Sequence, residues 1–209
     1  GTSLDPRSVC RMIRPLLVLR PEPGNSQTAA RARAFELDTR CVPLFAVRPI
    51  DWTPPDPAPY VGVLLTSANA LRTAGPELAR YTYLPAFAVG GTTARLAREA
   101  GFGSVVEGES DVARLMGKIA TLGLHRLLHF CGEDVRPLDP HGIVIDRCVV
   151  YTSEAVEPPE GFGSVLKEGP VAMVHSPRAA ARLAELVDPE LRPQSVNSMH
   201  LEIELRPQG

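Results

Sequence analysis

The sequence VGVLLTSAN, residues 61–69, is the stretch on which the fold prediction rests. Its aliphatic part, 61–65, has the length and nearly continuous hydrophobicity of a parallel strand covered on both faces. Thr66 and Ser67 follow, and a hydroxyl at such a position can cap a helix. The turn directs backbone N–H groups and the positive end of the helix dipole to one place above the sheet. We therefore expect a buried strand, a polar turn and a helix, with an anion site at the turn as a hypothesis.

The same pattern occurs twice more in the chain. Residues 86–94 (AFAVGGTTA) and 171–179 (VAMVHSPRA) each pass from an aliphatic run into a polar turn and then into a helix rich in Ala, Arg and Leu. Aligning Ser67 with Ser176 gives an offset of 109 residues, about half of the chain. Because strand-turn-helix units resemble one another, internal duplication and chance agreement both stay open.

The composition excludes some classes of partner. Of 209 residues, 44% are hydrophobic, which is enough for a packed core in one large or two small domains. The net charge is −2, and acidic and basic residues are interspersed, so no basic patch for nucleic acid is expected. No run of about 18 apolar residues occurs that could span a membrane. We expect a soluble globular protein that binds neither nucleic acid nor a membrane.

The cysteines do not indicate a metal or redox site. Cys10, Cys41, Cys131 and Cys148 lie far apart and lack the paired spacing of zinc or redox motifs. Together with an α/β pattern, this usage favours a reducing, cytoplasmic environment. We expect buried or inert thiols and no metal site.

Strands and helices alternate along the remaining chain. Further strands are expected at 16–19, 41–47, 105–106, 127–130 and 143–150. Further helices are expected after a cap at Asn25 or Ser26, at 92 and at 110–111. In the first of these helices, the spacing of Ala30, Ala34 and Leu37 predicts the face that packs on a sheet. The order of elements predicts an α/β fold with parallel sheets.

The proline-rich, acidic segment 152–161 has the composition of a linker. The segment before residue 41 and the segment after this linker each supply too few elements to fold alone, so we expect them to combine. The predicted domains are therefore 41–152, which is continuous, and 1–40 plus 153–209, which is discontinuous.

Three side chains outside the helix caps have open roles. Arg20 stands at the carboxyl end of a predicted strand, where open α/β sheets bind ligands, although such an arginine can also be simply solvated. Trp52 lies in a proline-rich connection and either contacts a ligand or, the interpretation that we favour, packs on the rim of the sheet. We expect His129 to be an interior histidine with its hydrogen bonds satisfied rather than a ligand.

Six segments of the chain occur in the order found in the uroporphyrinogen-III synthase family, which the chain resembles from Leu17 to about Val187. They are LVLRP (17–21), LTSANA (65–70), AVGGTTA (88–94), FCGEDVR (130–136), VVY (149–151) and HSPRA (175–179). The resemblance implies two similar parallel-sheet α/β domains that are joined by a two-stranded linker, with the substrate in the cleft between them.

The resemblance also implies a reaction. It is that of a cofactor-free lyase of tetrapyrrole (porphyrin and haem) biosynthesis, which converts linear hydroxymethylbilane into uroporphyrinogen III with loss of water and inversion of the terminal pyrrole ring. Fixed geometry alone can supply about 7–11 kcal/mol, which suits a family with few catalytic side chains. We expect a cytoplasmic monomer. Two alternatives stay open, a two-domain small-molecule-binding protein without chemistry and an inactive family member with a defective C-terminus.

The substrate that the resemblance implies is a polycarboxylate, and the polar turns offer N–H groups to bind it. The expected substrate-binding residues are Arg20, Thr66, Ser67, Ala68, Asn69, Gly90, Thr93, Gly132, Arg136, Ser176, Pro177 and Arg178. Each turn is alternatively a helix cap without a ligand, and Arg136 either binds a propionate or pairs with Glu133. Tyr151 matches the family tyrosine proposed as general acid on the leaving hydroxyl, because a phenol with a pKa near 10 is protonated at neutral pH. Its alternative role is that of a solvated tyrosine at a strand end.

The chain departs from the family pattern in two places. Between Cys131 and Ile143 it is short and contains Pro137, Pro140 and Gly142, so we expect a loop in place of a helix. After Val187 the family's further Gly-Thr-Thr-Ala-like turn is not recognisable, and 199–205 alternates like a single strand. We therefore expect a truncated or altered C-terminal part of the discontinuous domain.

Overall fold

The structure of the protein is a computed structural model that describes residues 14–109 and 111–187. The strands are β1 Leu16–Val18, β2 Thr39–Cys41, β3 Phe45–Pro49, β4 Gly62–Leu65, β5 Ala86–Val89, β6 Val105–Gly108, β7 Arg126–Gly132, β8 Val144–Ala155 and β9 Val171–Met173. The helices are α1 Gly24–Arg33, α2 Ala68–Thr73, α3 Gly91–Glu99, α4 Val112–Ala120, α5 Phe162–Lys167 and α6 Pro177–Leu186, with a 3₁₀ helix at Pro76–Tyr81.

The described residues form two compact units. The discontinuous unit comprises residues 14–46 and 155–187, and the continuous unit comprises residues 47–154. The two divisions in the chain fall within β3 and β8. Each unit contains a parallel sheet with helices packed on it, so the predicted α/β fold class is confirmed.

The discontinuous unit is built on β1, which pairs in parallel with β2 on one side and with β9 on the other. Leu17, Val18 and Leu19 have no exposed surface, as expected of a strand covered on both faces. Leu17 and Leu19 pack in one cluster with Val42, Leu44, Phe45, Phe162 and Ala179. The core of this unit therefore joins segments from both ends of the chain.

The continuous unit holds a six-stranded sheet in the order β3-β8-β7-β4-β5-β6. The strands from β8 to β6 in this order are parallel to their neighbours. β4 is central and fully buried, and it is followed by the predicted turn and by α2, so the strand, turn and helix predicted from residues 61–69 are confirmed. Ala70 of α2 and Ala94 of α3 pack on one face of the sheet, whereas Leu115 and Ile119 of α4 pack on the other.

Residues 41–47, predicted as one strand, belong to two different strands. β2 ends at Cys41 and β3 begins at Phe45. Pro43 lies between them, and because proline has no N–H it cannot continue a ladder. The amides of Val42 and Leu44 still donate to the carbonyls of Val18 and Leu19.

The first helix begins earlier and faces differently than predicted. α1 begins at Gly24 without a side-chain cap, so neither Asn25 nor Ser26 caps it. Asn25 is fully buried, and its Nδ2 donates to the carbonyls of Val18 and Arg20, both at 2.9 Å. This anchor turns Ala29 and Ala32 inward, four and seven residues after Asn25. The predicted face of Ala30, Ala34 and Leu37 is therefore wrong.

Other local predictions are confirmed by the structure. Residues 133–143 contain turns and no helix, and Trp52 packs in the core, where its Nε1 donates to the Ala74 carbonyl at 3.0 Å. β8 continues to Ala155, so only the later part of the predicted linker is irregular.

Of the cysteines, Cys131 and Cys148 are buried as expected, whereas Cys41 is exposed. Cys10 and the strand predicted at 199–205 lie outside the described residues. None of the helices in the described part of the chain combines the length and the apolar composition that crossing a bilayer requires.

Candidate functional site

The polar turns of the continuous unit lie at one edge of its sheet. β8, β7, β4 and β5 are neighbours and parallel, so their carboxyl ends meet at the same edge. Ligands of open α/β sheets bind outside this edge. It carries Tyr151 on β8, Gly132 at the end of β7, the turn 66–69 after β4 and the turn 90–93 after β5. These residues were predicted to form a site, and the sheet order places them side by side.

The turn after β4 is held by its own side chains. Ser67 has extended backbone, and its Oγ accepts a hydrogen bond from the Asn69 N–H at 3.2 Å, which caps α2 as predicted. Thr66 Oγ1 lies 2.9 Å from His129 Nε2 on β7. Asn69 Oδ1 accepts from Arg72 Nη1 at 3.1 Å. Each of these three side chains therefore has a hydrogen-bond partner, and together these contacts hold the turn in place.

The turn after β5 differs because no side chain caps it. Gly90 has a φ of 79°, a conformation that glycine adopts without strain. α3 then begins at Gly91, and the Glu107 carboxylate of β6 lies beside this residue and pairs with Arg98 at 3.6 Å. Thr93, an expected binding residue, is only 5% exposed and is covered by the helix and the sheet. Gly90 thus lies at the carboxyl edge of the sheet, whereas the Thr93 side chain is buried.

Tyr151 packs directly on Gly132. The two residues are partners across β7 and β8, next to an irregularity in the pairing between Cys131 and Gly132. A Cβ on Gly132 would lie 2.5 Å from Tyr151 Cε2 and 2.6 Å from its Cζ, so only glycine leaves room for the ring. Burial raises the pKa of the Tyr151 phenol above its usual value, while a hydrogen bond from Ser67 acts in the opposite direction. The phenol is therefore protonated at neutral pH.

His129 lies beneath this edge and is 1% exposed. Burial lowers its pKa to about 4, with a smaller effect from the positive charge of Arg147. The imidazole is thus neutral at pH 7 and bonded to Thr66, which confirms the prediction of a satisfied interior histidine.

Arg147 is a residue of this region that the sequence did not single out. Its Nη2 donates to the Glu133 carbonyl at 3.0 Å and, more weakly, to the Gly132 carbonyl at 3.4 Å. It thereby holds the start of the loop that follows β7. An arginine within a strand carries no sequence signal for such a role, because the contact depends on the pairing of β7 with β8.

Arg136 lies exposed on the loop 133–142. The alternative role, pairing with Glu133, is not found among the described residues, where Glu133 Oε2 accepts a hydrogen bond from Thr152 Oγ1 at 2.9 Å. A role of Arg136 in binding a propionate stays a prediction.

The discontinuous unit has its own edge of strand ends, at β1 and β9. Ser176 Oγ accepts from the Ala179 N–H at 3.2 Å and caps α6, with Pro177 in the first turn. The guanidinium of Arg178 lies 4.8 Å from the centre of the Phe45 ring, a cation–π contact.

Arg20 lies at the same edge, against the start of α1. A Cβ on Gly24 would lie 2.7 Å from Arg20 Cζ, and Nη1 is 3.4 Å from Thr28 Oγ1. His175, which the sequence did not single out as a binding residue, follows β9 and is exposed. Partial desolvation of the ring and then the charge of Arg20 lower its pKa. Arg20 and His175 both follow strands of this sheet, β1 and β9.

In residues 14–109 and 111–187, no three or more His, Cys, Asp and Glu side chains are grouped so that they could hold a metal ion. The groups described at these edges are the phenol of Tyr151, hydroxyls, backbone N–H groups, arginines and the imidazole of His175.

Comparison with known protein families gives a match over most of the chain. A family model described as uroporphyrinogen-III synthase HemD matches residues 26–199. The crystal structure of uroporphyrinogen-III synthetase from Helicobacter pylori superposes with a TM-score of 0.53 at 20% identity, covering 84% of this chain and 79% of that one. A mutant uroporphyrinogen III synthase from the extremely thermophilic bacterium Thermus thermophilus gives a TM-score of 0.46 at 16% identity, with 82% and 76% covered. No curated protein sequence gives a significant match.

Proposed function

Because the chain belongs to the uroporphyrinogen-III synthase family, we propose that it cyclises hydroxymethylbilane to uroporphyrinogen III, with loss of water and inversion of the terminal pyrrole ring. The observation that carries the proposal is the packing of Tyr151 on Gly132 at the carboxyl edge of the parallel sheet, in a chain of this family. The family places the activity in porphyrin and haem biosynthesis. A monomer in the cytoplasm is part of the proposal.

Tyr151 is the general acid in this proposal. As the C–O bond of the substrate's hydroxymethyl group breaks, the phenol gives its proton to the departing hydroxide, which leaves as water. The substrate becomes an electrophilic azafulvene, and the terminal pyrrole attacks it through its substituted carbon to give a spiro intermediate. That intermediate fragments and recloses with the ring inverted, and the proton lost from the pyrrole balances the one that Tyr151 gave. A positioned acid of this kind contributes about 10²- to 10⁴-fold.

The remaining residues bind the substrate carboxylates. In the continuous unit these are the turn 66–69, Gly90 and Gly132, with Arg136 on the neighbouring loop. In the discontinuous unit they are Arg20, the cap Ser176-Pro177 and Arg178. Thr93 is buried, so its contribution is to support the turn rather than to contact the ligand. The location of the substrate between two domains, 1–40 plus 153–209 and 41–152, stays a prediction.

An isomer assay tests the proposal. The protein is incubated with hydroxymethylbilane, the products are oxidised to porphyrins, and the isomers are resolved by chromatography. We expect uroporphyrinogen III, whereas buffer and heat-inactivated protein give the unflipped isomer that forms spontaneously. A Tyr151→Phe variant should be slower by about 10²-fold or more. If the intact protein yields only the unflipped isomer, the proposed function is wrong.

The same assay separates the two alternatives. A binding protein without chemistry would retain hydroxymethylbilane in equilibrium dialysis and yet leave the isomer ratio unchanged. An inactive family member would gain activity when the segment after Val187 is replaced by that of an active relative.

A further inference from the structure

Strand β8 has one residue more than its partner β7 at the point where Tyr151 stands. Cys131 pairs with Val149, but the next residue of β7, Gly132, pairs with Tyr151, so Val150 is an extra residue between the two pairs. Such an insertion is a β-bulge, a local irregularity that changes the direction of the side chains beside it. The bulge therefore lies directly before the candidate acid.

This bulge decides which face of the sheet carries the phenol ring. Successive residues of a regular strand point to opposite faces. Val150 is buried in the cluster formed with helices α2 and α3, and Tyr151 packs against the same cluster. Ile145 packs on the α4 face, and in a regular strand Tyr151 would lie on that face too. Because of the bulge, the ring instead shares a face with the helices that follow the turns 66–69 and 90–93.

Hydrogen bonds from both sides of the bulge converge on Glu133, at the end of β7. Before the bulge, Arg147 Nη2 donates to the carbonyls of Glu133 at 3.0 Å and of Gly132 at 3.4 Å. After it, the Tyr151 carbonyl accepts from the Glu133 N–H at 3.0 Å, and Thr152 Oγ1 donates to Glu133 Oε2 at 2.9 Å. These contacts oppose a slip of one residue, which would carry the ring to the other face.

The same contacts hold the backbone on which the ring packs. By strand alternation Arg147 lies on the α4 face, whereas the Tyr151 ring covers Gly132 from the opposite face, with Cζ 2.6 Å from the position that a Cβ would take. On the other side of β8, the Val150 carbonyl accepts from the Ile50 N–H at 3.2 Å. The bulge is thus bonded on both sides of its strand, and the guanidinium and the ring hold the end of β7 between them.

We propose that Arg147 and Thr152 are positioning residues for Tyr151: by binding Glu133 they hold the bulge at Val150 and, with it, the place of the phenol ring. The inference rests on the proposed function, since it assigns both residues a role in the reaction that Tyr151 carries out. Side chains with a merely structural role would affect overall stability and leave the surroundings of the ring unchanged.

Three variants separate this role from a general effect on stability. Arg147 is exposed, and Arg147→Met keeps an unbranched apolar stem while removing the donors. Thr152→Val removes the hydroxyl that bonds Glu133. Arg126→Met is the matched control, because Arg126 also joins β7 to β8, through Asp146 at 2.7 Å, but near the amino ends of both strands.

Fluorine NMR of protein labelled with 3-fluorotyrosine reports on the ring whether or not the protein is active. The signals of the four tyrosines are assigned with Tyr→Phe variants. The Tyr151 signal should move in Arg147→Met and in Thr152→Val and stay in place in Arg126→Met. The Tyr60 signal should move only in Arg126→Met, because the Arg126 guanidinium lies 5.7 Å from the centre of that ring. An unmoved Tyr151 signal in Arg147→Met, or an equal movement in the control, overturns the inference.

Single-turnover kinetics, with enzyme in excess over hydroxymethylbilane, connect the ring to the reaction. Arg147→Met should lose about tenfold in the rate of uroporphyrinogen III formation, because a displacement of about 1 Å costs up to about 10²-fold. Arg126→Met should stay within about twofold of the unaltered protein, and a rate within about twofold in Arg147→Met overturns the inference. If Arg147→Met does not fold, the same criteria apply to Thr152→Val.

The two measurements distinguish failure of this inference from failure of the proposed function. If the unaltered protein gives only the unflipped isomer, the proposed function fails. The fluorine signals alone then decide whether Arg147 and Thr152 place the ring. If the unaltered protein gives uroporphyrinogen III while Arg147→Met keeps both its rate and its Tyr151 signal, only the inference fails.

Discussion

Replacing Gly132 by alanine tests the contact between β7 and Tyr151. The added Cβ would lie 2.5 Å from Cε2 and 2.6 Å from Cζ of the ring, whereas carbon atoms pack at about 3.5–4.0 Å. The ring must therefore move by about 1 Å. Such overpacking costs about 1–3 kcal/mol of stability. A reacting group displaced by about 1 Å loses about 10²-fold in rate.

Urea unfolding followed by circular dichroism measures the first effect, and the single-turnover isomer assay measures the second. Gly117→Ala is the matched control, because no atom lies within 4 Å of its Cβ position and the residue is inside α4. That change should stabilise the protein by about 0.5–1 kcal/mol. In a Tyr151→Ala background, Gly132→Ala should cost little, because the clashing ring is gone.

The reasoning is refuted if Gly132→Ala unfolds within about 0.5 kcal/mol of the unaltered protein and keeps its rate. An equal stability cost in the Tyr151→Ala background would show that the strain lies elsewhere. Loss of rate without loss of stability would still support the contact, since a half-buried ring can yield by rotating toward solvent.

Three further changes have calculable effects. The pKa of His129 is lowered from 6.5 to about 4, so the stability that its neutral form contributes is complete above pH 6.5 and is lost as the pH falls to about 4. Between pH 7 and 4, the free energy of unfolding should therefore fall by about 3 kcal/mol more in the unaltered protein than in His129→Gln. Parallel curves of unfolding free energy against pH would contradict this. Asn25→Ala should cost about 2 kcal/mol in urea unfolding, because two carbonyls lose their donor, and an unchanged midpoint would contradict the anchoring of α1. Trp52→Ala should lower the free energy of unfolding by about 3 kcal/mol, because it removes packing on Tyr81 and Phe130. Tyr83 has an exposed ring, so Tyr83→Ala is the control. A melting temperature that falls no further in Trp52→Ala than in Tyr83→Ala would count against this.

The sequence by itself determined the elements whose signals are local. A continuous aliphatic run such as 61–65 is compatible with a strand buried on both faces. A hydroxyl just before a helix stabilises it, because the hydroxyl accepts a hydrogen bond from a free N–H group of the first turn. These signals depend on residues within a few positions, so the strand and the cap at Ser67 could be predicted. The helix-free loop after β7 was predictable for the same reason, because proline acts on its own neighbours.

The signals that failed were those in which a distant contact outweighs local preference. Asn25 has the sequence signature of a cap, yet it lies in the first turn of α1, where its side chain donates to the carbonyls of Val18 and Arg20. That contact also rotates the helix, so the apolar spacing alone gave the wrong buried face. Residues 41–47 were assigned to one strand although Pro43 interrupts them, because the sequence does not show that β2 pairs with β1 whereas β3 belongs to the other sheet.

Only the tertiary structure decided which side chains meet at the candidate site. The sequence indicated Tyr151, Gly132 and the turn 66–69 separately, but the packing of the ring on Gly132 follows from the register of β7 and β8. The contact between His129 and Thr66 joins residues 63 positions apart, and the role of Arg147 depends on the same sheet. Local sequence fixes backbone conformation through steric and capping preferences, whereas contacts between strands depend on sheet order and register, which no short segment specifies.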